Sequence, residues 1–201
     1  RTGQACWRIS IECPPGLERG EFYFGHPKYT VGITKCGENA VYLWMLTAHE
    51  RREKHLDDEE LYQGLKANLA DFGGSAGWIR DNMTRDHWIN YRPLAARLQP
   101  GPWSDGRIVL LGDSVHATTP HLASGAGMAV ESAIVLAQEL EQADSAEQAL
   151  AAYEARRFDR CRDVVESSLA AGRLQMAGAG PGEIGGTLSA ACISASVPAA
   201  S

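Results

Sequence analysis

Asp113 stands directly after a short apolar run, Ile108-Val109-Leu110-Leu111, bounded by Gly106 and Gly112. Such a run reads as a strand buried on both faces, and a carboxylate at its end is placed to accept hydrogen bonds from a ligand hydroxyl. Pro120 closes the polar loop that follows, and Gly125-Ala126-Gly127-Met128 opens a long helical pattern. Residues 125 and 127 lack Cβ atoms, so the backbone N–H groups from Gly125 to Met128 can approach a planar ring edge at the positive end of a helix. That arrangement contributes up to ~2 kcal/mol toward a developing negative charge. Strand, loop and helix start in this order form a ligand-facing edge of an α/β sheet. His116 lies in the same stretch, but a single histidine beside a motif more often packs than catalyses, and no catalytic residue is assigned.

The run from Gly106 to Ala133 resembles the second FAD-binding motif of the single-component flavoprotein aromatic hydroxylases, the group of the salicylate, p-hydroxybenzoate and urate hydroxylases. Gly-Arg, an apolar run, Gly-Asp, His, Pro and a Gly-x-Gly helix start recur at that family's spacing. Trp7-Arg8 resembles its "WR" strand, and Tyr153-Glu154-x-Arg156-Arg157 resembles its C-terminal helix. The resemblance implies a monooxygenase that hydroxylates a small aromatic or heteroaromatic molecule with FAD, O2 and electrons from NAD(P)H, the protein supplying position and electrostatics. It also implies that Asp113 accepts from the ribityl chain, that Pro120 lies between flavin and substrate, and that Gly125, Ala126, Gly127 and Met128 face the flavin N1/C2=O edge. Tyr23, Tyr42 and Trp44 become candidates for an aromatic wall at the substrate, since the family's antiparallel sheet covers that pocket.

The implied fold is α/β with mixed α+β character: part of a Rossmann-like FAD-binding fold, an antiparallel substrate sheet and long C-terminal helices. The usual GxGxxG turn is absent from the start of the chain, so the expectation is a C-terminal half whose partner is the missing N-terminal FAD-binding half. Residues 1–99 are expected to form the substrate sheet with one helix, 100–141 the returning part of the FAD-binding domain, and 142–201 a helix and a Gly/Ala-rich tail. Gly180-Pro181-Gly182-Glu183-Ile184-Gly185 also spells GxGxxG, but it follows a helix and has proline inside the turn, so it is rejected as a nucleotide site.

The 201 residues carry 44% hydrophobic side chains, enough for a substantial core, and a net charge of −6 without a dense basic block. Nucleic acid is thereby disfavoured as a partner, and so is an anionic membrane surface. No apolar stretch has the length of a membrane span and no signal-peptide core is present, so the cytoplasm is the expected location. Five cysteines, Cys6, Cys13, Cys36, Cys161 and Cys192, lack metal or disulfide spacing and read as reduced.

The elements that must position the loop follow from periodicity. Trp7, Ile9 and Ile11 alternate with polar residues as in a half-buried strand. Glu21 to Gly25 is strand-like, and Tyr29–Lys35 with Ala40–Leu46 form a hairpin across Gly37-Glu38-Asn39, its second arm central in the sheet. Asp57–Phe72 is a helix with acidic residues in its first turn, and Trp78–Arg80 and His87–Tyr91 read as further strands. Met128–Leu140 is expected to be a helix buried against the sheet. Ser145 caps a helix running past Arg173, and the Gly/Ala/Ser-rich stretch after Met176 reads as a loosely ordered tail.

Two other readings compete. Gly112-Asp113-Ser114 and Asp113-x-x-His116 resemble the nucleophile and Asp/His blocks of GDSL esterases, although one copy cannot serve as both. A non-catalytic fragment unable to hold FAD alone is the other.

Overall fold

The computed structural model describes residues 1–49, 55–180 and 182–187. The chain folds as two compact units, one ending at Leu94 and the other running from Ala95.

The first unit is built on β1 (Gln4–Glu12), β2 (Glu21–Tyr23), β3 (Tyr29–Lys35), β4 (Ala40–Ala48) and β5 (Ile89–Pro93). They form an antiparallel sheet in the order β2-β3-β4-β1-β5, so β4 is central as its two apolar faces require. Trp7, Ile9 and Ile11 share one face with Val31, Ile33, Val41, Leu43 and Met45, and all are buried.

Two helices, α1 (Asp58–Asn68) and α2 (Gly74–Asn82), cover that face. Asp57 starts α1 through a reciprocal cap: its carboxylate accepts from the Glu60 N–H at 2.8 Å while the Glu60 carboxylate accepts from the Asp57 N–H at 3.2 Å. Leu65 and Leu69 then enter the core fully buried, each burial contributing about 1.5–3 kcal/mol. The helix comes close enough that a Cβ on Gly64 would sit 2.8 Å from the Trp7 ring.

Trp78–Arg80 is not a strand. It lies inside α2, because Gly74 (φ +58°) restarts the chain and Ala76, Ile79 and Met83 fall at helical spacing into the core. Three residues are too few for periodicity to separate helix from strand. The expectation of a fold with part of its structure absent is corrected for the first sheet. β1 is paired along both edges, to β4 and to β5, so the opening residues sit inside an intact antiparallel sheet.

The second unit contains β6 (Arg97–Leu98), β7 (Ser104–Asp105), β8 (Ile108–Val109), α3 (Asp113–His116), a 3-10 turn (Pro120–Leu122), α4 (Gly125–Gln142) and α5 (Ala146–Met176). Ser145 caps α5 by accepting from the Gln148 N–H at 3.2 Å. Trp103, Val115, Met128, Tyr153, Cys161 and Val164 form its core.

Two expectations change here. The run Ile108–Leu111 is not a strand buried on both faces: only β8 forms, folded back on β7 across Gly106 (φ +56°), and Ile108 is 72% exposed. Nor is α4 buried against a sheet. It packs along α5 through Met128 and Ser132 while Val130 and Ile134 are exposed. An apolar composition reports which residues can be buried, and the neighbouring elements decide which of them are.

Cys6, Cys13, Cys36 and Cys161 are free thiols; Cys192 and most of the tail beyond Met176 lie outside the described residues. No described helix is long and apolar enough to cross a membrane, and the described residues hold no metal-ligating cluster.

Candidate functional site

Asp113 begins α3 directly after Gly112, whose φ of +62° and ψ of −135° suit a residue without a Cβ. Gly112 abuts the first turn of α4, since a Cβ on it would meet the Ala129 Cβ at 3.3 Å. The Asp113 side chain is exposed and has no hydrogen bond among the described residues. Ser114 turns back instead: its Oγ donates to the Leu111 carbonyl at 2.7 Å and accepts from the Leu111 N–H at 3.0 Å. His116 is 1% exposed and faces inward, its Nε2 3.0 Å from the Ser132 Oγ. Ser114 and His116 therefore do not form a nucleophile and base, which removes the geometry an esterase needs.

Pro120 is exposed at the first position of the 3-10 turn, which ends in left-handed Ala123 (φ 50°). The loop is fastened from beneath. Ser168 of α5 donates to the Thr119 carbonyl at 2.8 Å, and His121 reaches Thr119 Oγ1 at 2.9 Å and Gln175 Oε1 at 3.1 Å. Burial pushes the His121 imidazole below its ordinary pKa.

At the start of α4 the Ser124 side chain makes no cap; its Oγ donates to the Leu122 carbonyl at 2.8 Å. The N–H groups of Gly125, Ala126 and Gly127 accordingly have no acceptor among the described residues. Met128 differs: its N–H donates to the Ser124 carbonyl at 2.9 Å and its side chain is buried. The available donors are thus Gly125 to Gly127, one residue fewer than the motif implies. Gly125 does not have positive φ. A Cβ there would make an ordinary 3.5 Å contact with Thr118, and one on Gly127 would point into open space. The protein itself gives no steric reason for either glycine. An uncapped helix start with two bare glycines, an adjacent exposed carboxylate and a stiffened proline turn fits an anionic ring edge joined to a hydroxylated chain, as in FAD.

Behind the loop, Arg157 of α5 is 4% exposed and donates to Ser132 Oγ (3.2 Å), Glu131 Oε2 (3.0 Å) and the Met128 carbonyl (3.3 Å). Arg160 adds two more bonds to Glu131, from Nε at 3.2 Å and from Nη2 at 3.0 Å. Burial raises the Glu131 carboxyl, but the Arg160 and Arg157 guanidiniums outweigh it and hold the group below the usual carboxylate range. Burial lowers the His116 imidazole. Because Arg157 donates to Ser132, the serine proton is free to point at His116 Nε2, which fits a neutral imidazole.

The three substrate-side aromatics do not share a face. Tyr23 pairs with Val31 on the helix-covered side, where its ring meets Phe72 at 5.8 Å and its hydroxyl donates to Glu21 at 2.7 Å. Tyr42 and Trp44 point to the opposite side of the sheet, together with Phe22. Strand parity fixes this, but only once the β2–β3 register is known. The placing of Phe22, Arg8 and Asn90 on that face was not readable from the sequence for that reason, nor were the contacts of Arg157 and Ser132, which join distant helical turns.

The family described as FAD binding domain matches residues 19–168 of this chain. The 2-heptyl-3-hydroxy-4(1H)-quinolone synthase of Pseudomonas aeruginosa (strain UCBPP-PA14) is 33% identical over 178 residues, which is 86% of this chain and 45% of that enzyme. The aurachin C monooxygenase/isomerase of Stigmatella aurantiaca is 30% identical over 176 residues, again 86% and 45%. Among solved structures, Klebsiella pneumoniae HpxO complexed with FAD and uric acid superposes with a TM-score of 0.73 at 22% identity, covering 95% of this chain and 53% of that one. The chain spans about half the length of the curated relatives it matches. The match from residue 19 to residue 168 corrects the expectation that FAD-binding-domain sequence is left to a missing partner: such sequence lies within this chain. The matched residues take in strands and helices of both units.

Proposed function

The chain belongs to the FAD-binding-domain family, and from that premise we propose that it serves an FAD-dependent monooxygenase acting on an aromatic or heteroaromatic small molecule, with NAD(P)H as electron donor. The observation that carries the reading is the uncapped start of α4 beside an exposed Asp113. The names of the relatives, a quinolone synthase and a monooxygenase/isomerase, support it. When bound, FAD supplies the redox chemistry, passing electrons from the nicotinamide to O2 and oxygen to the ring.

The residues of this chain bind and orient. Asp113 accepts from a ribityl hydroxyl, and the N–H groups of Gly125, Ala126 and Gly127 donate toward the flavin edge that gains negative charge on reduction. Met128 takes part through packing, since its N–H is already used. Pro120 stiffens the turn that carries these groups. On the sheet, Tyr42 and Trp44 are the aromatic candidates for the substrate; Tyr23 lies on the other face.

The test is direct. The purified chain is titrated with FAD while flavin fluorescence is followed, and NAD(P)H oxidation is measured with and without added aromatic compounds. Saturable FAD binding that Asp113→Ala weakens supports the reading. No FAD binding under any condition, or binding indifferent to Asp113 and to the α4 glycines, removes it.

A further inference from the structure

His116 stands between the two elements that carry the proposed cofactor contacts, and nothing in the monooxygenase reading uses it. Its own helix, α3, begins with Asp113, and the His116 N–H closes that turn on the Gly112 carbonyl at 2.9 Å. On the other side Nε2 lies 3.0 Å from Ser132 Oγ of α4. The same serine oxygen accepts from Arg157 Nε at 3.2 Å, and Arg157 Nη2 donates to the Met128 carbonyl, behind Gly125 to Gly127, at 3.3 Å. One buried ring therefore ties the exposed carboxylate to the uncapped helix start through a single hydroxyl. His116 is 1% exposed and Ser132 is fully buried, so water cannot replace either partner.

Little that faces the ring suits its cation. From α4 come Ser132 and Glu131, but Glu131 already serves both Arg157 and Arg160. From α5 comes Arg157, a like charge, with Tyr153 and Cys161 beside Ser132, both kept neutral by burial. From α3 itself comes Asp113, which is exposed. β6 sets Leu98 opposite His116, and its charged residue, Arg97, is exposed and bonded to Gln99. Nδ1 meets no acceptor among the described residues beyond its own backbone. With the ring neutral, Ser132 takes a proton from Arg157 and gives its own to Nε2. A second ring proton reverses that bond. Ser132 must then accept from two cations at once, and His116, Arg157 and Arg160 are left to share Glu131.

Resting on the monooxygenase reading above, we infer that His116 is a proton-sensitive latch of the cofactor site: its neutral ring joins α3 to the first turn of α4, its protonated ring parts them, and FAD and that proton exclude each other. Charge fixes the direction. Burial first, and Arg157 with it, favour the neutral ring, so the latch is closed at neutral pH and opens only below the ordinary histidine value of about 6.5. FAD binds the closed form, so its affinity is constant above that value and is lost as acid titrates the ring. His116 is a positioning residue in this scheme. It acts through Ser132 and Arg157 and touches neither flavin nor substrate.

The experiment follows two readouts from pH 8 to pH 5 in the native chain, His116→Gln and Ser132→Asp. The first, without cofactor, is the two-dimensional amide NMR spectrum, in which Ser114 on α3 and Met128 on α4 are expected to shift together with one midpoint below about 6.5. The second is FAD affinity by flavin fluorescence, expected to fall by up to roughly tenfold per pH unit below that midpoint. His116→Gln abolishes both responses. Ser132→Asp gives the second cation a carboxylate of its own and keeps FAD bound into the acid range. Circular dichroism at each pH separates a parted site from an unfolded chain. Should either variant lack a thermal unfolding transition, the other variant and the native amide spectrum decide. Affinity unchanged down to pH 5, an acid loss that survives His116→Gln, separate midpoints for Ser114 and Met128, or FAD released only with global unfolding overturns the inference. A chain whose Ser114 and Met128 amides follow His116 yet never takes FAD would sink the monooxygenase reading alone. FAD binding that needs Asp113 and ignores His116 would sink this inference alone.

Discussion

Arg157, near the middle of α5, donates to the carbonyl oxygen of Met128 at 3.3 Å and so holds the first turn of α4 from behind. The same guanidinium bonds Glu131 at 3.0 Å and Ser132 at 3.2 Å. One buried cation thereby fixes the backbone whose other side presents Gly125 to Gly127. Its charge is matched within the unit, which is what makes burial tolerable.

Replacing Arg157 by Ala should leave Glu131 with half its ion pairing and the Met128 carbonyl without its donor. The expected loss is about 3–5 kcal/mol of folding stability, the range for removing one partner of a buried pair. Urea unfolding of the second unit's tryptophan, Trp103, is the measurement. Arg157→Lys keeps the charge but not the three-way fork and should lose less. A change under ~1 kcal/mol for Arg157→Ala would mean the network is ornamental.

Much of the framework that carries these groups was legible in the sequence. β1, the β3–β4 hairpin, the acidic start of α1 and the Ser145 cap follow from period-two alternation, a glycine turn, the helix dipole and capping chemistry, all of them local. What depended on neighbours was not legible. Tyr23 was grouped with Tyr42 and Trp44 because aromatic character shows in a sequence while strand parity across a loop does not. The run Ile108–Leu111 suggested a two-sided buried strand, yet Gly106 folds it into a two-residue hairpin. The candidate cofactor loop was proposed from its motif, and in the structure the Met128 N–H is already taken by the Ser124 carbonyl.

Stability should fall as pH drops below the ordinary histidine pKa of about 6.5. Burial lowers both His116 and His121 in the folded state, so below that pH the unfolded chain binds more protons than the folded one. Above it neither group contributes, and the penalty grows until the depressed folded values are passed. Glu131 adds loss only at lower pH, as the solution nears the range in which its own depressed carboxyl titrates. Thermal unfolding from pH 8 to pH 5 checks this. His116→Asn should flatten part of the slope, and an unchanged slope in that variant would place the sensitivity elsewhere.

Asp113 and Ser114 are neighbours with opposite expectations. The exposed Asp113 carboxylate has no described protein partner, so Asp113→Ala should change stability by no more than ~0.5 kcal/mol. It should weaken FAD by about 1–3 kcal/mol through loss of a hydrogen-bond acceptor. Ser114→Ala removes the two bonds to Leu111 and should cost about 0.5–1.5 kcal/mol of stability per bond with little effect on FAD. FAD titration and urea unfolding of both variants separate the two effects, and the reverse pattern would return attention to the serine.

The glycines of the loop provide the sharpest separation between fold and ligand. Gly112 has φ +62°, so Gly112→Ala should cost about 1–2 kcal/mol from backbone strain alone. Gly127 lies in the first turn of α4 with open space around its missing Cβ, so Gly127→Ala should leave stability unchanged or raise it by up to ~1 kcal/mol through better helix propensity. Gly125→Ala should be equally well tolerated, its Cβ meeting only Thr118 at 3.5 Å. If a planar ring edge rests on these N–H groups, both α4 variants should nonetheless bind FAD more weakly than the native chain, because a methyl group now stands where the ring approaches. Measured together, unfolding and FAD titration should place Gly112→Ala among the folding defects and the two α4 variants among the binding defects. Full FAD affinity in Gly125→Ala and Gly127→Ala would show that the start of α4 is a plain helix start and that the flavin lies elsewhere.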